Sequence, residues 1–185
     1  ARRWLGQMNA IGPAGYSPAA RTDAAVLRNL LETELGNARF REWEMPFDSD
    51  NNFWSYLAEP MPLDSVEDYR RYIARMRDIP RYFSEHTANA RAGLARGFSV
   101  PRVTLEGRDA SLAHYVVDDP KQSPFWAAFA TMPARIPATE QDRLRGEALS
   151  VIQERVTPAY ARVLKFFREE YLPKTRTTLG ASQLP

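Results

Sequence analysis

Cysteine is absent from the 185 residues, which excludes disulfides, thiolate zinc sites and cysteine nucleophiles. Histidine is nearly absent: His86 and His114 are the only two, far apart in the chain. The dipeptide His-Glu never occurs, so the H-E-x-x-H zinc arrangement is missing. Lysine occurs three times against 22 arginines, a ratio that, with abundant alanine, reflects a GC-rich coding sequence more than a phosphate-binding surface. Phosphate-cradling patterns, G-x-x-x-x-G-K-[ST] and G-x-G-x-x-G, are also missing. No apolar run approaches the roughly 18 residues that span a bilayer, and ARRWLGQMNAIG lacks the apolar core of a signal peptide. The charge balance, 25 basic against 23 acidic, leaves a surplus too small to predict a nucleic-acid or anionic-membrane partner.

What is present is helical periodicity. The length suits a single domain over residues 1–185, with residues 41–64 as a long connection rich in Pro, Asp and Asn. Ser17-Pro18 is a helix start signal, and Leu27, Leu30, Leu31 and Leu35 continue it at spacings of three and four. In the connection, Pro46, Pro60 and Pro62 frame a stretch expected to pack Phe53, Trp54 and Tyr56 beneath it. Ser65 to Asp68 reads as a capping box. Val66, Tyr69, Ile73, Met76, Phe83, Ala90 and Leu94 then predict a long helix kinked at Pro80 and ended by Gly97. Residues 99–117 suit a strand or a helix carrying Gly107, and helix is favoured. Ser123-Pro124 starts a short aromatic-rich helix. From about Thr139, Leu144, Ala148, Val151, Ile152, Tyr160, Val163, Phe167 and Tyr171 share one face, with Pro158 as a second kink. The fold class predicted is all-α, an array of long kinked antiparallel helices.

Chemistry-bearing patterns are scarce. His86 reads as a solvated or Glu-paired imidazole on a charged helix, and His114 as a partly buried, hydrogen-bonded one. Ser182 after Gly180-Ala181 lacks the strand-turn setting of a hydrolase nucleophile. Adjacent carboxylates (Asp118-Asp119, Glu169-Glu170) point about 100° apart on a helix and do not converge. The basic cluster Arg70, Arg71, Arg75, Arg77 and Arg81 alternates with acids, as a salt-bridged solvent face does. FDSDNNFW is the best candidate: Asp48, Asp50, Asn51, Asn52 and Trp54 either line a groove or are plain turn chemistry, and calcium chelation lacks the EF-hand spacing and its terminal Glu.

Several segments together resemble the bacterial family catalogued as domain of unknown function 885. They are ARFREWEMPFD, SVEDYRRYIARMRDIPRYFSEHTANARAGLARGFSVPRV, SPFWAAFA and VTPAYARVLKFFREEYLPKTRTTLGASQLP, running from about Leu27 to the last residue. The resemblance implies a longer, mostly helical, often exported or lipid-anchored protein, grouped with zinc-dependent metallopeptidases. The metal motif ascribed to that family, His-Glu followed by Pro-Gly-His, lies downstream of the matched region, and no position here corresponds to it. The expectation is therefore a front portion of a longer protein, trimmed by excision or proteolysis. It would hold no catalytic residue and no metal of its own, with zinc in the full-length protein. It would form one wall of a substrate cleft and pack against the carboxy-terminal half, with Trp43, Trp54 and Trp126 either on that interface or in the local core. The alternative is a stand-alone helical interaction module that dimerises through exposed apolar surface.

Overall fold

The computed structural model describes residues 1–48, 52–59 and 62–185, and every regular element among them is helical. The all-α expectation is met. The described chain falls into two compact units, Ala1–Glu42 and Trp43–Pro185.

The first unit is a helical hairpin. Helix α1 (Arg2–Ile11), which the periodicity does not reveal, leads through a turn to α2 (Pro18–Phe40). Gly12 and Gly15 take positive φ in that turn, the region glycine enters without a Cβ clash. Ser17 caps α2 as predicted: its hydroxyl accepts from the Ala20 N–H at 3.2 Å, and Pro18 follows in the first turn. Neither helix buries a residue in this structure.

The second unit is built on α3 (Val66–Ala95). Its start is the predicted capping box, with the Ser65 hydroxyl accepting from the Asp68 N–H and Asp68 accepting from the Ser65 N–H at 2.9 Å. Its end is a Schellman motif: the Phe98 N–H donates to the Gly93 carbonyl at 2.8 Å and the Gly97 N–H to the Leu94 carbonyl at 3.1 Å. Gly97, at φ 74°, supplies the left-handed residue this closure needs. Between these ends α3 runs through Pro80 and buries Tyr69, Tyr72, Ile73, Met76, Ile79 and Phe83 along one stripe. Each such side chain stabilises the fold by roughly 1.5–3 kcal/mol. Four of the five arginines form the predicted salt-bridged solvent face: Arg70 pairs with Glu140, Arg71 with Glu67, Arg77 with Glu147 and Arg81 with Asp78 and Glu85. Arg75 makes no such pair among the described residues and donates to backbone carbonyls instead.

Residues 99–117 do not form the favoured helix. Arg102–Thr104 is a single 3-10 turn, Gly107 sits at φ 78°, and only α4 (Asp109–Ala113) is α-helical. A left-handed glycine ends the turn rather than riding inside a helix. Ser123 caps the turn Pro124–Trp126, which runs into α5 (Ala127–Ala130).

The closing helix alternates in type. It passes from α6 (Ala138–Val151) through a π-helical turn (Ile152–Val156) into α7 (Thr157–Phe166). A second π turn (Phe167–Tyr171) then leads into α8 (Leu172–Lys174). Buried Leu144, Ala148, Ile152, Val156 and Tyr160 recur every fourth residue. At 3.6 residues per turn such a stripe drifts by about 40° per step, or about 160° by Tyr160. A wider turn takes up the surplus residue and returns the stripe to the core. Each π turn is followed by a proline, Pro158 and Pro173, whose missing N–H would have broken the α ladder at that place.

Candidate functional site

The proline-framed connection holds the sequence candidates, and three of the five, Asp48, Asn52 and Trp54, fall among the described residues. Asp48 is exposed, and its N–H donates to the side-chain oxygen of buried Asn52 at 2.9 Å. Trp54 is fully buried. Asp50 and Asn51 lie outside the described residues. Phe53 and Trp54 pack as expected around Phe47, at centroid distances of 5.4 Å each. Tyr56 does not: it stands 59% exposed.

Irregular backbone needs partners for its carbonyls, and here distant side chains supply them. The Tyr160 hydroxyl donates to the Trp54 carbonyl at 2.9 Å, and the Tyr72 hydroxyl to the Ala58 carbonyl at 2.9 Å. The Arg75 guanidinium donates to the carbonyls of Leu57 and Glu59, each at 3.2 Å, and lies 4.9 Å over the Tyr72 ring. From the loop side, the Trp54 indole N–H donates to the Ser111 hydroxyl at 3.1 Å, which donates onward to the Arg108 carbonyl at 2.7 Å. Helices α3, α4 and α7 thus hold residues 54–59 in one shape.

That shape opens a groove of about 340 Å³ lined by Trp54, Ser55, Tyr56, Glu59, Ser111, His114 and Tyr115. Tyr56 takes φ 62° there, a left-handed backbone rare for an aromatic residue. Tyr115 stacks on Tyr160 at 4.3 Å, while the exposed His114 meets it edge-on. His114 is therefore a rim residue, not the partly buried, hydrogen-bonded one the sequence suggested. Burial holds the Tyr115 phenol above its ordinary range, and the Glu59 carboxylate adds to the effect. Burial pushes Tyr72 up to about 12 and Tyr160 higher still. At neutral pH these phenols are protonated, which suits Tyr72 and Tyr160 as the donors to the loop carbonyls.

His86 departs from its expectation as well. It is half-buried, its ring stacked on Phe53 at 4.4 Å and 4°, with Nδ1 buried and unpartnered. Desolvation lowers its pKa, with Glu85 pulling the other way. Among the described residues, no three His, Asp or Glu side chains come together to hold a metal ion. Of the four tryptophans, Trp54 is core, Trp126 packs partly buried against the core cluster, and Trp4 and Trp43 are exposed. The groove residues Tyr56, Glu59, Ser111, His114 and Tyr115 were not linked in the sequence because loop and helix meet only through tertiary packing.

A family model described as "Bacterial protein of unknown function (DUF885)" matches residues 1–183. This chain belongs to that family. The match takes in the hairpin before Leu27, the residue at which the resemblance visible in the sequence begins. One solved structure similar to this DUF885 chain is described as "The crystal structure of the putative lipoprotein from Colwellia psychrerythraea". The two align with a TM-score of 0.67 at 19% identity, over 76% of this chain and 25% of that one. The likeness shows a shared fold, and this chain spans about a quarter of the length of that protein. No curated protein matches the sequence.

Proposed function

We propose that these helices are the non-catalytic amino-terminal portion of a longer zinc-dependent peptidase or hydrolase, forming one wall of its substrate cleft. The described residues do not suit zinc as ligands, so no step of the reaction is assigned to them. Zinc would be held by the carboxy-terminal part, against which the exposed Trp43 would pack. The observation that carries this reading is the groove beside Tyr56, a concave surface fixed by anchors from three helices. An exported or lipid-anchored location is part of the same proposal, supported by the fold shared with a protein described as a lipoprotein.

The test is made on the full-length protein. Zinc content by mass spectrometry should stay unchanged in His86→Ala and His114→Ala, while Tyr56→Ala raises KM for peptide hydrolysis. Loss of zinc with either histidine, or a Tyr56→Ala enzyme with unaltered KM and kcat, would overturn the reading. A second reading is a helical interaction module. The first unit favours it, since Trp4, Ile11, Val26, Leu27, Leu30 and Phe40 are all exposed. Sedimentation of the 185-residue chain as a dimer, abolished by Leu27→Glu with Leu30→Glu, would support that module.

A further inference from the structure

We propose that the Tyr56–Glu59 groove binds a positively charged organic group, the guanidinium or ammonium of an arginine or lysine side chain in a peptide. The identification of the groove as part of a cleft wall is taken from the proposed function; the charge preference rests on the groove itself.

Among the seven lining residues, one is a carboxylate and none is Lys or Arg. No hydrogen bond or ion pair engages the Glu59 carboxylate, the His114 ring or the Tyr56 hydroxyl among the described residues, so they are available to a ligand. Glu59 also acts on the Tyr115 phenol, which places its negative charge at the groove. The exposed Tyr56 ring supplies a quadrupole that attracts cations, while Tyr115, stacked on Tyr160, forms part of the lining. A volume of about 340 Å³ accommodates a guanidinium with its methylene stem.

Tyr56 strengthens the case. A left-handed backbone suits Gly or Asn and is strained for tyrosine. The anchored carbonyls of Trp54, Leu57 and Ala58 enforce this turn whatever the side chain. What a tyrosine adds at this place is an exposed ring at the mouth of the groove. Strain retained at a concave surface points to use of the side chain that bears it. The loop already shows the same chemistry on its other side, where Arg75 is held by two carbonyls and the Tyr72 face.

The experiment is calorimetric titration of the full-length protein with acetyl-Ala-Arg-Ala-amide, its neutral citrulline counterpart and agmatine. The arginine peptide should bind at least about threefold more tightly than the citrulline peptide. Glu59→Gln should weaken the arginine peptide by about threefold to fivefold and leave the citrulline peptide unchanged, the scale of an exposed ion pair. Tyr56→Asn, which suits the backbone, should weaken the arginine peptide by a similar factor through loss of the ring. Agmatine bound as tightly as the peptide supports the cation site and gives it to a free amine. Equal binding of the arginine and citrulline peptides, or a Glu59→Gln protein that distinguishes them as before, overturns the proposal. Calorimetry reads binding and not turnover, so absent hydrolysis would sink the cleft reading while leaving the cation site standing.

Discussion

Gly93→Ala tests how α3 ends against the connection. Gly93 is buried, and a Cβ built on it would lie 2.1 Å from the Glu44 carbonyl oxygen and 2.8 Å from that of Phe98. Both obstacles are backbone, so no side chain can swing aside. Moving Glu44 drags its carboxylate, which accepts from Arg96 at 2.6 Å with both groups largely shielded. Moving Phe98 breaks the 2.8 Å Schellman bond to Gly93 itself. Alanine gains about 1 kcal/mol over glycine in a helix interior. Forced overpacking costs about 1–3 kcal/mol and sometimes more; with the closure and the ion pair also displaced, the net loss should be about 2 kcal/mol or more. In a domain of this size that lowers the thermal midpoint by about 4–8 °C. Gly146→Ala is the internal control: it lies within α6 with nothing within 4 Å of the new Cβ, and should stabilise by about 0.4–1 kcal/mol. Denaturant titration and thermal melts of both variants read the difference. A Gly93→Ala protein as stable as the parent would refute the close-approach argument.

His86 gives a pH dependence. Its folded pKa lies below the ordinary value of 6.5, so the neutral ring is favoured in the fold. That stability is present above 6.5 and is lost as pH falls through it toward the lowered folded value. Urea midpoints at stepped pH should show the decline, and His86→Phe, which keeps a ring against Phe53, should flatten that part of the profile. Tyr160→Phe removes the donor to the buried Trp54 carbonyl and should cost about 1–3 kcal/mol by denaturant titration. Tyr56→Asn should leave stability unchanged or raise it by up to about 1 kcal/mol, because asparagine tolerates the left-handed backbone.

The parts of the fold legible in the sequence are those fixed by local rules. Ser17-Pro18, the Ser65–Asp68 box and Gly97 each satisfy orphan groups at a helix end, using residues within a few positions of one another. Helix α1 escaped because its ten residues give too short a periodic run. The π turns were readable in principle. Burial every fourth residue from Leu144 to Tyr160 is too slow for an α-helix, and Pro158 and Pro173 mark where each surplus residue is absorbed. The candidate groove was not assembled by the sequence reading, and Trp54, singled out there, is fully buried behind it. His114 and Tyr115 meet Tyr56 and Glu59 through a 3.1 Å bond between Trp54 and Ser111, which no spacing rule anticipates. The exposure of Tyr56 follows from anchors at Tyr72, Arg75 and Tyr160, far along the chain.

Those anchors grip carbonyl oxygens, and every amino acid brings the same carbonyl. Within what the left-handed backbone at 56 and the bonded N–H groups of Ser55 and Glu59 tolerate, residues 55, 56 and 59 can therefore exchange their side chains while the grip from Tyr72, Arg75 and Tyr160 stays as it is. Recognition at this surface is separable from architecture: what the loop displays can be rewritten one position at a time, with the helices beneath it unaware of the change.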